Sequence, residues 1–328
     1  MRKRMYLFIC FTALLFTVLA CVQERSFPLA SDVKKQMALL PQDAAVYGYV
    51  NFKRLHSADF SHIFVDSVKN HMYKDKDLSE FMKVTGLDPN KDIHEIYFAA
   101  NPTPDKKKSS FLAVASGQFD IDKIVKFIEE EDKKHKIQQS DYEGFTLFVT
   151  DEKPIAFCFK DENTLVGGSK LNVQKWLDLQ GQTGQKEMNS TVLKQIEKLK
   201  YKKGMWLNVD ALVLKENIDD EHFGHINGLK SVETLGFSLD FTDKMMLNAR
   251  GIFGDAEKSK LFEEAIKGFI ATGKLSVSDD RDVIDILNSI DVKAEDKTVK
   301  VDFKLTEEEA KKILEKKKTF TKKFQKAV

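Results

Sequence analysis

The fold is decided most clearly by residues 231–253, which read SVETLGFSLDFTDKMMLNARGIF. Apolar and polar side chains alternate from Phe237 to Thr242, and a second apolar run begins at Met245. A period of two is typical of a strand that buries one face. The stretch therefore predicts an antiparallel hairpin formed by Ser231–Phe241 and Lys244–Phe253.

The elements on both sides of this hairpin follow from the same patterns. Met205–Asp210 is predicted as a preceding strand, and Glu257–Phe269 as a following helix. That helix is expected to place one apolar face on the sheet, at the helical spacing of Leu261, Phe262, Ala265, Ile266 and Phe269. Val292–Ala294 and Val299–Leu305 then predict a closing hairpin, and Thr306 to Glu309 reads as the capping box of a last helix.

The first half of the chain follows the same order. A strand at Asp43–Phe52 precedes two helical segments, near Phe60–Met72 and Leu78–Thr85. A long hairpin, a helix capped by Asp120, several short strands and a final helix come next. The predicted hairpin and short strands are Ile93–Asn101, Ser110–Gly117, Phe145–Val149, Ile155–Lys160 and Thr164–Gly167, with pairing near Ile137, and the final helix carries Val173, Trp176 and Leu177.

The junction after each long hairpin supports an internal repeat. Gly117, Phe119 and Asp120 recur as Gly251, Phe253 and Asp255, in both places between a strand and a helix. We therefore expect an α+β fold made of two tandem repeats, each a mainly antiparallel sheet covered by helices on one face. The expected boundaries are a signal peptide at 1–20, a tether at 21–40, repeats at 41–179 and 190–328, and a polar linker at 180–189.

The N-terminal residues indicate where the protein is located. Arg2, Lys3 and Arg4 precede a short apolar stretch that ends in Val18-Leu19-Ala20-Cys21. This arrangement resembles a bacterial lipoprotein signal. The resemblance implies cleavage before Cys21 and acyl chains, such as palmitate, on that residue, which would hold the protein in the cell envelope outside the cytoplasm. An ordinary signal peptide and an uncleaved anchor are the alternatives. Val22, in place of Asp, favours the outer membrane if the host is Gram-negative.

Two stretches of the first repeat carry a second resemblance. Leu40-Pro-Gln-Asp-Ala introduces a strand, and Val166-Gly-Gly ends another strand before a helix. Both features are similar to a diffuse set of exported bacterial proteins of uncharacterised function. The resemblance implies no catalytic residue.

Composition limits the possible partners and the redox chemistry. The net charge of +1 falls to −2 without Arg2, Lys3 and Arg4, which gives no basis for nucleic-acid binding. Cys158 is the one cysteine left after cleavage and acylation, within an apolar run that predicts a buried, unreactive thiol. No disulfide can then form within the mature chain.

Searches for catalytic and metal-binding motifs yield weak candidates. The sequence has no Gly-x-Ser-x-Gly elbow, no His-Glu-x-x-His helix and no Walker loop. His222 and His225 could ligate a metal but lack a third ligand at suitable spacing. Gly167-Gly-Ser-Lys170 could bind an anion, although paired glycines more often make a turn. Residues 278–282 lack the glycine and distal glutamate of a calcium loop and read as a helix start. No cofactor is predicted.

Two basic clusters are the candidate contact surfaces for anionic headgroups or glycans. The first is Lys106, Lys107 and Lys108 at a hairpin tip, and the second is on the last helix, with Lys316, Lys317, Lys318, Lys322 and Lys323. Helix-dipole and edge-protection effects also explain lysines at such places.

The sequence thus favours a lipid-anchored, non-enzymatic envelope protein that binds or scaffolds another protein or envelope component. One alternative is a carrier of an apolar, lipid-like ligand between sheet and helices, consistent with 25 phenylalanines. The other is an enzyme whose site assembles from scattered residues.

Overall fold

The computed structural model of the chain describes residues 26–56, 76–103, 105, 108–135, 137–150, 154–180, 186–212, 231–278 and 280–312. Within these ranges the alternating runs form twelve strands that pair antiparallel in one sheet, which confirms a mixed fold of helices and a large antiparallel sheet. The strands are β1 Val46–Asn51, β2 Ile93–Asn101, β3 Ser110–Gly117, β4 Ile137–Tyr142, β5 Phe145–Thr150, β6 Ile155–Asp161, β7 Thr164–Ser169, β8 Met205–Asp210, β9 Val232–Phe241, β10 Lys244–Phe253, β11 Asp291–Glu295 and β12 Thr298–Thr306.

The sheet is continuous through its centre. Its strand order is β11-β12-β10-β9-β8-β1-β2-β3-β7-β6-β5-β4, so the first strand of each half pairs with the other. Tyr49 of β1 lies opposite Trp206 of β8 in this pairing. The residues before the polar stretch at 180–189 and those after it therefore contribute to one sheet.

Nine helices of the described chain surround the sheet. They are α1 Ser31–Ala38, α2 Phe52–His56, α3 Lys76–Thr85, α4 Pro89–Asp92, α5 Ile121–His135, α6 Lys170–Gln180, α7 Ser190–Glu197, α8 Ala256–Ser276 and α9 Arg281–Asn288. Residues 307–312 begin a further helix. None of these described helices combines the length and the apolar character that crossing a membrane requires.

One side of the sheet, which we call the tyrosine face, carries Tyr47, Tyr49 and Tyr97. In the first half this face is apolar and is covered by α1 and α6, and α7 packs on the same face at β8. The three helices contribute to the largest core cluster of the described residues. Trp176 of α6 and Trp206 of β8 lie in this core and are 2% and 1% exposed. Full burial of aromatic side chains of this size makes this layer the main source of hydrophobic stabilisation.

The opposite face is covered by a different set of helices. In the second half, α8 packs over Val292 and Val299, and Ile286 of α9 packs over Leu239. In the first half, α5 packs over Phe148 and its apolar neighbours. The prediction of helices on one face is therefore wrong. In the first half Val166 faces α6 while Phe157, on the adjoining strand, faces α5. In the second half α7 packs on β8 from the tyrosine face, whereas α8 and α9 cover the opposite face.

The predicted tether is wrong for its second half. Residues 31–38 form α1, in which Val33 and Met37 are buried, and Leu40 is 2% exposed. An apolar pair at positions i and i+4 places both side chains on one helix face, which here packs on the sheet. At the predicted linker, Met188 is buried and the Asn189 backbone N–H donates to Gln42 Oε1 at 2.7 Å.

The predicted helix starts are confirmed where the described chain includes them. Asp120 accepts a hydrogen bond from the backbone N–H of Lys123, and Asp255 accepts one from that of Lys258. Asp280 caps α9 in the same way. The reciprocal capping box of Thr306 and Glu309 also forms, with distances of 2.7 and 3.3 Å.

Candidate binding surfaces

The outer side of α8 presents an apolar stripe to solvent. Leu261 is 59% exposed, Phe269 54% and Leu275 78%. At a rise of 1.5 Å per residue, the stripe extends about 21 Å along the helix. Contiguous exposed apolar side chains on a folded protein are typical of an interaction site. We define the outer stripe as Leu261, Ala265, Gly268, Phe269, Thr272 and Leu275, all of which are exposed.

The inner side of the same helix accounts for its attachment to the sheet. Phe262, Ile266 and Ile270 pack against the core of the second half, and the Phe262 and Phe253 rings lie 5.1 Å apart. The prediction of one apolar face on this helix is therefore wrong. The sequence signal was present in the width of the apolar arc, since Leu261 and Ile266 lie about 140° apart on a helical wheel.

A cleft of about 420 Å³ lies between α1, α6 and the β2–β3 hairpin. Its floor is apolar and includes the buried side chains of Leu40, Leu112 and Trp176. Its rim is polar, with two lysines, two aspartates and several amides, among them Lys175, Asp178, Lys186, Asp43, Asn101 and Asn172. The combination suits a small ligand with both polar and apolar parts.

A polar network lies on the tyrosine face at the end of β1. Glu95 accepts hydrogen bonds from the hydroxyls of Tyr49, at 2.7 Å, and Tyr97, at 2.6 Å, and from Asn51 Nδ2 at 3.1 Å. Burial, and then the hydrogen bond to the Glu95 carboxylate, raise the pKa of both tyrosines. These hydroxyls are therefore proton donors that stay protonated in neutral solution, and the network holds β1 and β2 together.

Most of the predicted contact residues lie outside the described residues. This holds for Cys21, for Lys106 and Lys107, for His222 and His225, and for the C-terminal set Lys316, Lys317, Lys318, Lys322 and Lys323. Lys108 is described: it is exposed at the β2–β3 tip, and its N–H donates to the carbonyl of Asp105 at 2.8 Å. Lys108 is therefore the one predicted lysine whose position the described residues give.

Two other candidates receive a structural explanation. Cys158 is fully buried on β6, and burial raises the pKa of its thiol to about 11, as the predicted unreactive thiol requires. A Cβ atom on Gly168 would lie 2.3 Å from the carbonyl oxygen of Phe111, so this glycine serves the close approach of β3 and β7. Among the described residues, no group of three or more His, Cys, Asp and Glu is close enough to hold a metal ion.

These observations define the class: an α+β protein with one twelve-stranded antiparallel sheet in its described part, helices on both faces and an exposed apolar stripe on one of those helices. No protein-family model matches the chain, and no curated protein matches it. Among solved structures, the chain is similar to crystal form III of TP0453, with a TM-score of 0.48 and 8% identity over 83% of this chain and 94% of that one. Crystal form I of TP0453 gives a TM-score of 0.45 and 9% identity over 84% of this chain and 95% of that one.

Proposed function

We propose that the chain is a lipid-anchored, non-enzymatic protein of the bacterial cell envelope that binds or scaffolds another protein. The outer stripe of α8 carries the proposal, because its leucines and phenylalanine contribute nothing to the core of this chain. Their exposure costs hydrophobic stabilisation unless a second surface covers them. The signal-like residues up to Cys21 support the anchor, on the outer membrane if the host is Gram-negative.

The partner-binding part is tested by cross-linking in the cells that make the protein. A photo-reactive phenylalanine at Phe269 should give one discrete protein adduct, which a Leu261→Glu/Leu275→Glu background should abolish. The matched control is Leu171→Glu, since Leu171 is 61% exposed on α6, away from the stripe. Adducts that are diffuse, or that survive the double substitution, would remove the stripe as a partner site.

The anchor is tested separately. Mass spectrometry of the mature N-terminal peptide should show acyl chains on Cys21, and Cys21→Ser should release the protein from the membrane fraction. Two or more acyl chains make anchoring stable, whereas one is marginal. An unmodified Cys21 in membrane-bound protein would exclude the lipoprotein assignment.

We also infer that the two halves are tandem repeats. Each half begins with a central strand, β1 or β8, which is followed by a hairpin and then by a helix that an aspartate caps. A later strand of the same half then pairs with the second strand of that hairpin. The returning pairs are β7 with β3 and β12 with β10. An experimental structure in which these sets of four strands do not superpose would remove the inference.

The carrier alternative has the cleft beside α1 and α6 as its site. Its floor of Leu40, Leu112 and Trp176 could receive an apolar group, although the polar rim limits that group to a short one. Lipid extraction of protein purified without detergent, followed by mass spectrometry, tests it. A stoichiometric lipid that is lost in Leu112→Asp would favour the carrier over the scaffold.

A further inference from the structure

The first described residues are held against the second half of the chain. The N–H of Phe27 donates to the carbonyl of Glu197 at 2.6 Å, and Lys202 Nζ donates to the carbonyl of Phe27 at 2.6 Å. The same ammonium lies 5.5 Å from the centre of the Phe27 ring. The chain therefore enters the fold at a fixed place, beside the end of α7.

The distance from this place to the proposed anchor is short. Six residue steps separate Cys21 from Phe27, which is at most about 20 Å of extended chain. A bilayer that holds the lipid of Cys21 must therefore lie within about that distance of Phe27. The surface around Phe27 is the part of the described structure that the anchor brings closest to the headgroups.

That surface is rich in lysine. Residues 198–203 read KLKYKK, and we call them the lysine loop. Leu199 fixes the loop to the sheet, because its side chain occupies the space above Gly236. Lys200 Nζ contacts Asp302 Oδ2 at 2.5 Å, whereas Lys203 is exposed to solvent.

Further cations lie on the adjoining part of the tyrosine face, although Arg250 is only 6% exposed and the Lys300 side chain only 17%. Lys293 lies directly opposite Lys300, and Lys300 lies directly opposite Arg250, so that three cations form one row across β11, β12 and β10. Like charges in directly opposite positions destabilise a sheet. Asp291 and Glu295 pair with the two lysines of the row at 3.0 and 2.5 Å, which offsets part of that repulsion.

We propose that the lysine loop, together with the exposed Lys293 of β11, forms the membrane-proximal surface of the protein, which contacts anionic headgroups of the bilayer that holds Cys21. The proposal rests on the lipid anchor proposed above and gives it an orientation. Lysines near an anionic surface add to acyl insertion as a second membrane signal. Since α8 covers the opposite face of the sheet, its outer stripe then points away from the bilayer, where a partner protein has access.

The test uses the full-length protein, purified from its own membranes and reconstituted into phosphatidylcholine vesicles with or without phosphatidylglycerol. Lysines are acetylated with a water-soluble reagent and quantified by peptide mass spectrometry. Phosphatidylglycerol should slow the acetylation of Lys198 and Lys203 about fivefold. It should leave Lys258 of α8, whose side chain is 53% exposed, unchanged.

The N-terminal peptide in the same spectra shows whether Cys21 carries lipid. The lipid anchor and the orientation on the bilayer are therefore tested independently. Protection of Lys198 and Lys203 supports the orientation whether or not Cys21 carries lipid. If phosphatidylglycerol slows acetylation no more at Lys203 than at Lys258, or slows it at Lys108 instead, the proposed orientation is wrong. Lys203→Glu should lower the binding of a Cys21→Ser protein to phosphatidylglycerol vesicles, and the matched Lys258→Glu should not.

Discussion

Lys202 and Phe27 are 175 positions apart in the chain, yet a 2.6 Å hydrogen bond joins the ammonium of one to the carbonyl of the other. Lys202 also donates to the carbonyl of Leu199 at 2.5 Å. The contact closes the N-terminal segment onto the second half of the sheet. It thereby sets the direction from which any anchor at the N-terminus reaches the protein.

Stability should depend on the ionisation of Lys202. Burial lowers the pKa of its ammonium from 10.5 to about 8, and Glu197 opposes this shift. Between these values the unfolded chain binds more protons than the folded chain, so this residue's contribution to the free energy of unfolding rises with pH. The free energy of unfolding of wild type, relative to that of Lys202→Met, should therefore increase between pH 8 and pH 10.5. Urea unfolding of both proteins measures this difference.

Lys203→Met is the control for this titration, because Lys203 is the exposed neighbour. The change of the Lys202→Met difference with pH is compared with that of Lys203→Met over the same range. A difference for Lys202→Met that does not change with pH would show that the ammonium is not desolvated in the folded protein.

Two glycines should respond to alanine in opposite directions. A Cβ atom on Gly48 would lie 2.1 Å from the Phe98 ring, so Gly48→Ala should lower the free energy of unfolding by about 1–3 kcal/mol. Gly268 lies within α8 with no atom within 4 Å of such a Cβ, and Gly268→Ala should raise it by up to about 1 kcal/mol. Urea unfolding of both variants checks the pair, and equal signs would contradict the packing of β1 against β2.

The Glu95 network should contribute measurably to stability. Tyr97→Phe removes one hydrogen bond to a partly buried carboxylate and should cost about 1.5 kcal/mol. Tyr142→Phe removes a comparable bond to Asp178 at an exposed position and should cost less than about 0.5 kcal/mol. Thermal unfolding of the two variants provides the measurement. A similar loss in both would mean that burial adds nothing to the Glu95 bonds.

The segment predicted as a tether should behave as core. Met37→Ala deletes a fully buried side chain of α1 and should lower the free energy of unfolding by about 2–5 kcal/mol. Lys34→Ala on the exposed side of the same helix should change it by less than about 0.5 kcal/mol. Hydrogen exchange should also show slow amides across α1, whereas fast exchange there would restore the tether interpretation.

Local patterns were enough to predict most strands of the described chain. The hairpin of β2 and β3 and the strand β10 have the predicted bounds, and β9 and β12 differ from their predictions by one residue at one end or at both. The helix caps at Asp120, Asp255 and Thr306 were also predicted from local sequence. These features depend on neighbours in sequence: a period of two, a turn, or a side chain that reaches an N–H three residues away.

The sequence by itself therefore determined the strands, the helix starts and the buried character of Cys158. The tertiary structure decided that β1 pairs with β8, so that both halves share one sheet, and that helices cover both of its faces. It also decided that α1 belongs to the core and that one side of α8 stays exposed. The reason is physical: pairing partners and the side of a helix that meets the sheet depend on contacts between residues far apart in sequence, which a local pattern does not specify.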